Sequence, residues 1–265
     1  MIEMKGICKT YRVRRRESGL GSAVKALFSR DCDEVAALRD MTFTIPDGQI
    51  VGYIGPNGAG KSTTIKILCG ILRPESGTCT VNGLVPWEDR KRHAARLGVV
   101  FGQRSQLWWD VPVMESYRLL GDIYRVPADR FRENLEQLTE LLDLGDLLRT
   151  PVRLLSLGQR MRCEIASALL HSPEVLFLDE PTIGLDAVSK LKVRDFIREQ
   201  NRLRGTTVIL TTHDMQDIDA LCQRVLLIGK GRLLLDGTTA QIRSMAGDNL
   251  STEESVADLY RRFGI

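Results

Sequence analysis

The sequence predicts an α/β fold on a mostly parallel sheet, and three observations carry that reading. Residues 49–55 (QIVGYIG) form an apolar run that feeds into a glycine-rich turn and then into the helix-like KSTTIKILCGIL. Residues 175–179 (VLFLD) and 206–212 (TTVILTT) are apolar, β-branched runs of buried-strand length, each separated by a plausible helix. Runs that are apolar on successive residues belong to strands covered on both faces, as in sheets flanked by helices.

The remaining elements fill in around these strands. Residues 1–50, 76–83 and 223–237 read as hairpin strands, with turn signals at Pro46-Asp47-Gly48, Gly229-Lys230-Gly231 and Asp236-Gly237. Phe131, Leu135, Leu138 and Leu142 recur at helical spacing, so residues near 113–170 form a mostly helical block within the α/β domain. Two short helices follow, near Thr238–Met245 and Glu253–Phe263. One stretch stands apart: Arg12, Arg14, Arg15, Arg16, Lys25 and Arg30 face only Glu17, and Asp31, Asp33 and Glu34 come directly after. It reads either as a solvated loop or as a contact for anionic lipid headgroups or a partner that seeks a basic patch.

Composition bounds the function. A chain of 265 residues with 43% hydrophobic content can bury a substantial core in one large domain or two modest ones. With 37 basic and 34 acidic residues the net charge is +3, too small for a dedicated nucleic-acid binder. Apolar runs such as Val175–Leu178 and Val225–Ile228 fall far short of the ~20 residues of a membrane helix. The N-terminal MIEMKGICKTY lacks the apolar centre of a secretory signal. Cys8, Cys32, Cys69, Cys79, Cys163 and Cys222 are scattered, with no Cys-x-x-Cys, and read as reduced, mostly buried thiols. Together these features point to the cytosol.

The chemistry begins at Gly55-Pro56-Asn57-Gly58-Ala59-Gly60-Lys61-Ser62, which fits the phosphate-loop pattern G-x-x-x-x-G-K-[ST]. Small residues let backbone N–H groups curl around a phosphate, and the following helix, with Thr63 in its first turn, offers its positive end. Lys61 supplies a charge to the β- and γ-phosphates, and the Ser62 hydroxyl is a Mg²⁺ ligand. VLFLDE adds a buried strand ending in Asp179 and Glu180. Asp179 suits Mg²⁺ held through its water shell, and Glu180 suits polarisation of an attacking water.

At Leu155-Ser156-Leu157-Gly158-Gln159, about twenty residues before Asp179-Glu180, the chain resembles the signature motif of the ABC ATPases. The family's other pieces occur in order. Tyr11 stands at the adenine-stacking aromatic, Gln103 at the Q-loop glutamine, Asp186 in the D-loop Ile183-Gly184-Leu185-Asp186, and His213 at the switch histidine. His93 and His171 lack such context and read as structural. The resemblance implies a P-loop NTPase fold with a RecA-like core, an antiparallel β subdomain and an inserted helical subdomain at about 104–172. It places the cassette at 1–237 and a short helical tail at 238–265. It implies ATP and Mg²⁺ as cofactors, with Glu180, His213 and Gln103 catalytic and Ser62, Gln103 and Asp179 at the metal. Such ATPases work as head-to-tail pairs, so Ser156, Gly158, Gln159 and Asp186 would serve nucleotide held by the partner.

Two departures from the family pattern stand out. Leu157 replaces the commoner glycine, and either its side chain points away or the grip on the γ-phosphate is weaker. The insertion between Tyr11 and the strand at Val35–Leu38 is long, which bears on whether the Tyr11 ring reaches adenine. A single phosphate loop, no sustained heptads and no Cys-x-x-Cys favour a transporter subunit over a soluble ABC ATPase of translation or DNA repair. The permease would then be a separate membrane chain, with this subunit peripheral on the cytoplasmic side of the inner (plasma) membrane. Residues 104–112 (RSQLWWDVP) occupy the family's permease-docking segment. Trp108 and Trp109 there read either as an anchoring groove or as one core ring shielded by the other. The run VVFGQRSQLWWDVP, the basic insertion and the short tail resemble the export-type subgroup with small separate permeases. The second ATPase subunit is a copy of this chain or a sister chain, and the cargo is not readable from an ATPase.

Overall fold

A computed structural model describes residues 1–14, 32–101, 105–246 and 250–265. Two sheets form the frame. In the first, β1 (Ile2–Arg14) pairs antiparallel with β2 (Cys32–Ile45) on one side and β4 (Ser76–Val81) on the other. The second has the order β5-β6-β7-β3-β8-β9, from β5 (Leu97–Phe101), β6 (Val175–Asp179), β7 (Thr207–Thr211), β3 (Ile50–Ile54), β8 (Arg224–Gly229) and β9 (Arg232–Thr238). All its pairings are parallel except the β8–β9 hairpin, which turns at Gly229-Lys230-Gly231. The expected parallel core, antiparallel β subdomain and helical block are all present.

Period-two alternation along the central strands separates two cores. Phe177, Ile209, Tyr53 and Leu226 face the first sheet and α1 (Lys61–Leu68), packing with Ile2, Met4 and Ile65. Leu176, Leu178, Leu210 and Leu227 face the other way, onto the helices. Each such side chain stabilises the fold by about 1.5–3 kcal/mol when fully buried, so both faces hold the sheet rigid beneath the loops at its strand ends.

The helical block comprises α3 (Val113–Tyr124), α4 (Ala128–Leu142), two short 3-10 turns and α5 (Leu157–Leu169), after the short α2 (Arg90–Ala94). Next come α6 (Ala187–Arg204) and α7 (Met215–Leu221). At the C-terminal end, α8 (Thr239–Ala246) and α9 (Thr252–Arg262) bury Ile242, Val256 and Leu259 in the helix-side core. The Tyr260 hydroxyl donates to the Ile228 carbonyl at 3.3 Å, which seats α9 on β8.

Two expectations need correction. Asp236-Gly237 is no turn but lies inside β9, where Asp236 forms a two-pronged pair with Arg224 of β8 at 2.8 Å. Pro46-Asp47-Gly48 closes no hairpin either; it carries the chain from the antiparallel sheet into the parallel one. The basic stretch lies mostly outside the described residues; at its edge Arg12 pairs with Glu34 at 3.2 Å. Cys79, Cys163 and Cys222 are buried and free, and burial pushes the Cys79 and Cys163 thiols up to about 12. His93 and His171 each bond a backbone carbonyl, of Leu68 and Leu97. No helix among the described residues is long and apolar enough to cross a membrane.

Candidate active site

Strand β3 ends at Ile54, and residues 55–60 turn the chain into α1. Gly60 carries φ +107, and a Cβ there would stand 2.7 Å from the Ala37 carbonyl, so only glycine fits. As the cap of α1 it brings no side-chain acceptor, and the first turn holds no acidic residue. The leading N–H groups of α1 therefore have no capping partner from the protein among the described residues, which suits an anion. Lys61 Nζ donates to the carbonyls of Gly55 at 2.5 Å and Pro56 at 3.2 Å, which holds it over the loop. Burial lowers its pKa, while Glu180 and Asp179 oppose that shift and favour the charged form.

A cleft of about 630 Å³ lies here, lined by Asn57, Gly58, Lys61, Ser62, Asp179 and Glu180 among others. Sheet register delivers the carboxylates. Asp179 stands opposite Thr211, whose hydroxyl donates to Asp179 Oδ1. The Glu180 N–H donates to the Thr211 carbonyl at 2.9 Å just past the strand end. Glu180 itself has φ +54, a left-handed conformation that costs a non-glycine residue roughly 1 kcal/mol or more. Its carboxylate meets His213, with Nε2 3.0 Å from Oε1. Lys61, Asp179, Glu180 and His213, separated by up to 152 positions in the sequence, thus converge at one end of the sheet.

The donor set fits ATP and Mg²⁺. Uncapped N–H groups and Lys61 suit phosphates, and the cleft walls from β2, at Val35, Ala36 and Ala37, are apolar. Ser62 and Asp179 offer few protein ligands, as Mg²⁺ prefers when phosphates and waters supply the rest. No group of three or more His, Cys, Asp and Glu forms a metal cage among the described residues.

Other candidates sit elsewhere. Tyr11, on β1, reaches toward Thr63 with its hydroxyl 3.5 Å from the Thr63 oxygen, at the margin of the cleft. Gln103 lies outside the described residues. Ser156, Gly158, Gln159 and Asp186 do not line this cleft. Ser156 caps α5 in a capping box with Gln159, and Asp186 caps α6 by accepting the Ser189 N–H and hydroxyl. Those two bonds hold the Asp186 carboxyl below its usual range. The two helix starts are nested. A Cβ on Gly158 would stand 2.7 Å from Ser189 Oγ, and one on Gly184 2.8 Å from Leu157 Cδ2. Leu157, which could have pointed away from everything, therefore packs on the D-loop.

A buried network behind the site has no motif to announce it. Asp217 of α7 is fully buried, and its Oδ1 accepts Arg194 Nε at 2.6 Å. Its Oδ2 accepts the hydroxyls of Thr182 and of Thr212, the latter at 3.2 Å. Asp214, beside His213, pairs with Lys190 at 2.5 Å. Burial alone would raise the Asp214 carboxyl, but Lys190, the Gln216 N–H and Arg194 outweigh it and hold the carboxyl low. These bonds tie the segments flanking Glu180 and His213 to α6.

Residues 38–183 match the family model described as ABC transporter. The chain belongs to the ABC transporter family. This ABC cassette is 32% identical over 203 residues to the ATP-binding protein NatA of Bacillus subtilis, covering 77% of this chain and 82% of that one. It is 36% identical over 214 residues to the daunorubicin/doxorubicin resistance ATP-binding protein DrrA of Streptomyces peucetius, covering 81% and 64%. It is 40% identical over 205 residues to a fluoroquinolones export ATP-binding protein of Mycobacterium tuberculosis, covering 77% and 66%. The match thus spans about two thirds of the length of those last two relatives. The fold agrees with that of a solved ATP binding subunit of an ABC transporter, at a TM-score of 0.79 and 24% identity over 97% of this chain and 98% of that one. As a member of this family the cassette binds and hydrolyses ATP, and such subunits work in dimers with membrane permeases.

Proposed function

We propose that this cassette is the motor subunit of an exporter, peripheral on the cytoplasmic side of the plasma membrane and driving a separate transmembrane permease. Export is supported by the names of the resistance and export relatives. One observation carries the paired mechanism: the signature turn lies outside the chain's own cleft. Its capping box engages the N–H groups of Ser156 and Gln159 and leaves those of Leu157 and Gly158 without an acceptor among the described residues. A helix start of this kind attracts an anion, and that anion is the γ-phosphate of ATP held by the opposing cassette. The opposing cassette is a second copy of this chain, with a sister chain as the alternative.

Within one cleft, Lys61 and the N–H groups of residues 57, 58 and 60–63 hold the phosphates, with Pro56 and Ala59 shaping the turn, and Tyr11 borders the adenine end. Ser62 and Asp179 would hold Mg²⁺, with Gln103 assigned to the same ion by resemblance. Bound there, the ion would supply charge neutralisation on the phosphates. Glu180 orients the attacking water and takes its proton, and His213 fixes the Glu180 carboxylate. We place the cassette at residues 1–237, with the helical subdomain at about 104–172, and treat residues 238–265 as a helical extension.

Lys61→Ala tests the cradle. Losing charge-assisted bonds of about 1.5–3 kcal/mol should weaken ATP binding about 10- to 100-fold, measured by titration with a fluorescent nucleotide. Unchanged affinity would contradict this assignment.

Trp108 and Trp109 are about half exposed, with Arg160 5.8 Å above the Trp109 ring, and we assign them to permease docking. Trp108→Ala should lower permease-stimulated turnover by about tenfold or more, as expected of an interface anchor, and leave ATP binding nearly unchanged. Equal loss of both would count against the assignment. The decisive experiment captures tagged Glu180→Gln from detergent-solubilised membranes with ATP and Mg²⁺, followed by mass spectrometry. A multi-helix permease recovered with that variant, but not when Trp108 and Trp109 are both alanine, supports transport. Ribosomal or repair proteins without a permease would move the chain to the soluble ABC ATPases.

A further inference from the structure

Glu164 lies on α5, eight residues after Ser156, and is 5% exposed. A carboxylate so deeply buried is costly unless donors satisfy it. Its donors come from one short segment distant in sequence. Ser105 Oγ donates to Oε1, and the Gln106 N–H donates to Oε2 at 3.0 Å. Burial pushes the carboxyl pKa up, while those two bonds and the nearby Arg160 pull it down. The same segment is stitched together locally, since Ser105 Oγ accepts the Leu107 N–H and Ser116 Oγ accepts the Trp108 N–H, each at 3.1 Å. The α5 helix meets this region twice more, through Arg160 over the Trp109 ring and through the Cys163 carbonyl, which accepts the Tyr117 hydroxyl at 2.9 Å. One helix therefore carries the signature serine at its start and grips the tryptophan segment along its next two turns.

We propose that Glu164 is a positioning residue that fastens residues 105–109 to the signature helix, so that the exposed tryptophan edge and the Ser156 turn move as one rigid piece. The carboxylate touches no part of the nucleotide cleft, so it acts on turnover only through this link. The link does not depend on what docks at the tryptophans. Its consequence, that permease movement reaches the phosphate contacts of Ser156, rests on the docking assignment above.

The bonding pattern selects the test variants. In Glu164→Gln the amide oxygen still accepts the Gln106 N–H, and the amide nitrogen can donate to Ser105 Oγ, which turns from donor to acceptor. Glu164→Ala removes both bonds. Hydrogen–deuterium exchange of the full chain, read by mass spectrometry, reports on the amides of Gln106, Leu107 and Trp108 directly. Glu164→Ala should speed exchange of the 105–109 peptide about tenfold or more, and Glu164→Gln should keep it within about threefold of the parent. In the Glu180→Gln background, ATP with Mg²⁺ should protect residues 156–160 and 105–109 together, and adding Glu164→Ala should confine that protection to 156–160. A folded Glu164→Ala variant with parental protection of 105–109 would overturn the proposal, as would equal loosening by the alanine and glutamine variants. Should Glu164→Ala not fold, Ser105→Ala removes the bond to Glu164 from the other side, together with the acceptor of the Leu107 N–H, and unchanged exchange there would overturn it equally. Loss of the link in exchange, alongside a permease that still binds when Trp108 and Trp109 are alanine, would sink the docking assignment alone.

Discussion

Replacing Glu180 by glutamine should lower steady-state ATP hydrolysis by about 100- to 10,000-fold, the usual contribution of a positioned general base, while ATP binding stays within about threefold. The geometry separates the two effects. Binding groups lie on the turn and helix from β3, whereas Glu180 sits past the end of β6, anchored by its N–H to Thr211. Glutamine keeps an oxygen for the His213 contact at 3.0 Å and keeps the side-chain volume, so the cleft holds its shape. What is lost is the ability to take a proton from water. In the paired arrangement proposed above, ATP bound but not cleaved would keep its γ-phosphate between Lys61 of one cassette and the signature turn of the other, so the variant should accumulate as an ATP-dependent dimer. Size exclusion with and without ATP and Mg²⁺ reads the dimer, and phosphate release reads turnover. Near-parental turnover would remove Glu180 from the role of base.

Much of this site is legible in the sequence because its chemistry is local. The turn at residues 55–62 is legible because its small residues, the positive φ of Gly60 and the uncapped helix start are local backbone features, although the close approach of Ala37 that excludes a side chain at 60 is not. Asp179-Glu180 is legible because a buried run of five residues ends there, and β6 has that length. The partners of these groups are not legible. Thr211 reads as one more residue of a buried strand, and only the register of β6 against β7 makes its hydroxyl the donor to Asp179. Glu164 falls within an ordinary helical run, and nothing nearby in sequence names Ser105 and Gln106 as its donors. Asp236-Gly237 misleads for the same reason: its strand conformation comes from pairing with Leu226 and Val225 of β8, and Arg224, twelve residues away, holds its carboxylate. Leu157 shows the limit from the other side. A side chain where the family pattern has glycine is visible in the sequence, but the space it fills against Gly184 is not.

The largest stability effect should come from Asp217. Asp217→Ala removes the carboxylate from a position of 0% exposure and leaves Arg194, at 8%, with a buried charge and only the more distant Asp214, at 3.7 Å, to balance it. Breaking one side of a buried pair costs about 3–5 kcal/mol, which urea unfolding would register, and a loss below about 1 kcal/mol would show that the pair is not what holds α6 to α7. The same carboxylate also accepts the hydroxyls of Thr182 and Thr212, which lie two residues beyond Glu180 and one before His213. Stability and turnover can therefore be separated. Combining Asp217→Leu with Arg194→Met removes both charges at similar volume, a change that is often neutral for stability. It restores no acceptor for the buried Thr182 and Thr212 hydroxyls, so the double variant should regain the stability lost to the uncompensated Arg194 charge, short of the cost of those unpaired hydroxyls, yet hydrolyse ATP more slowly, with kcat falling and KM little changed. If turnover recovers along with stability, the network serves packing alone and the placement of Glu180 and His213 depends on the strand ends.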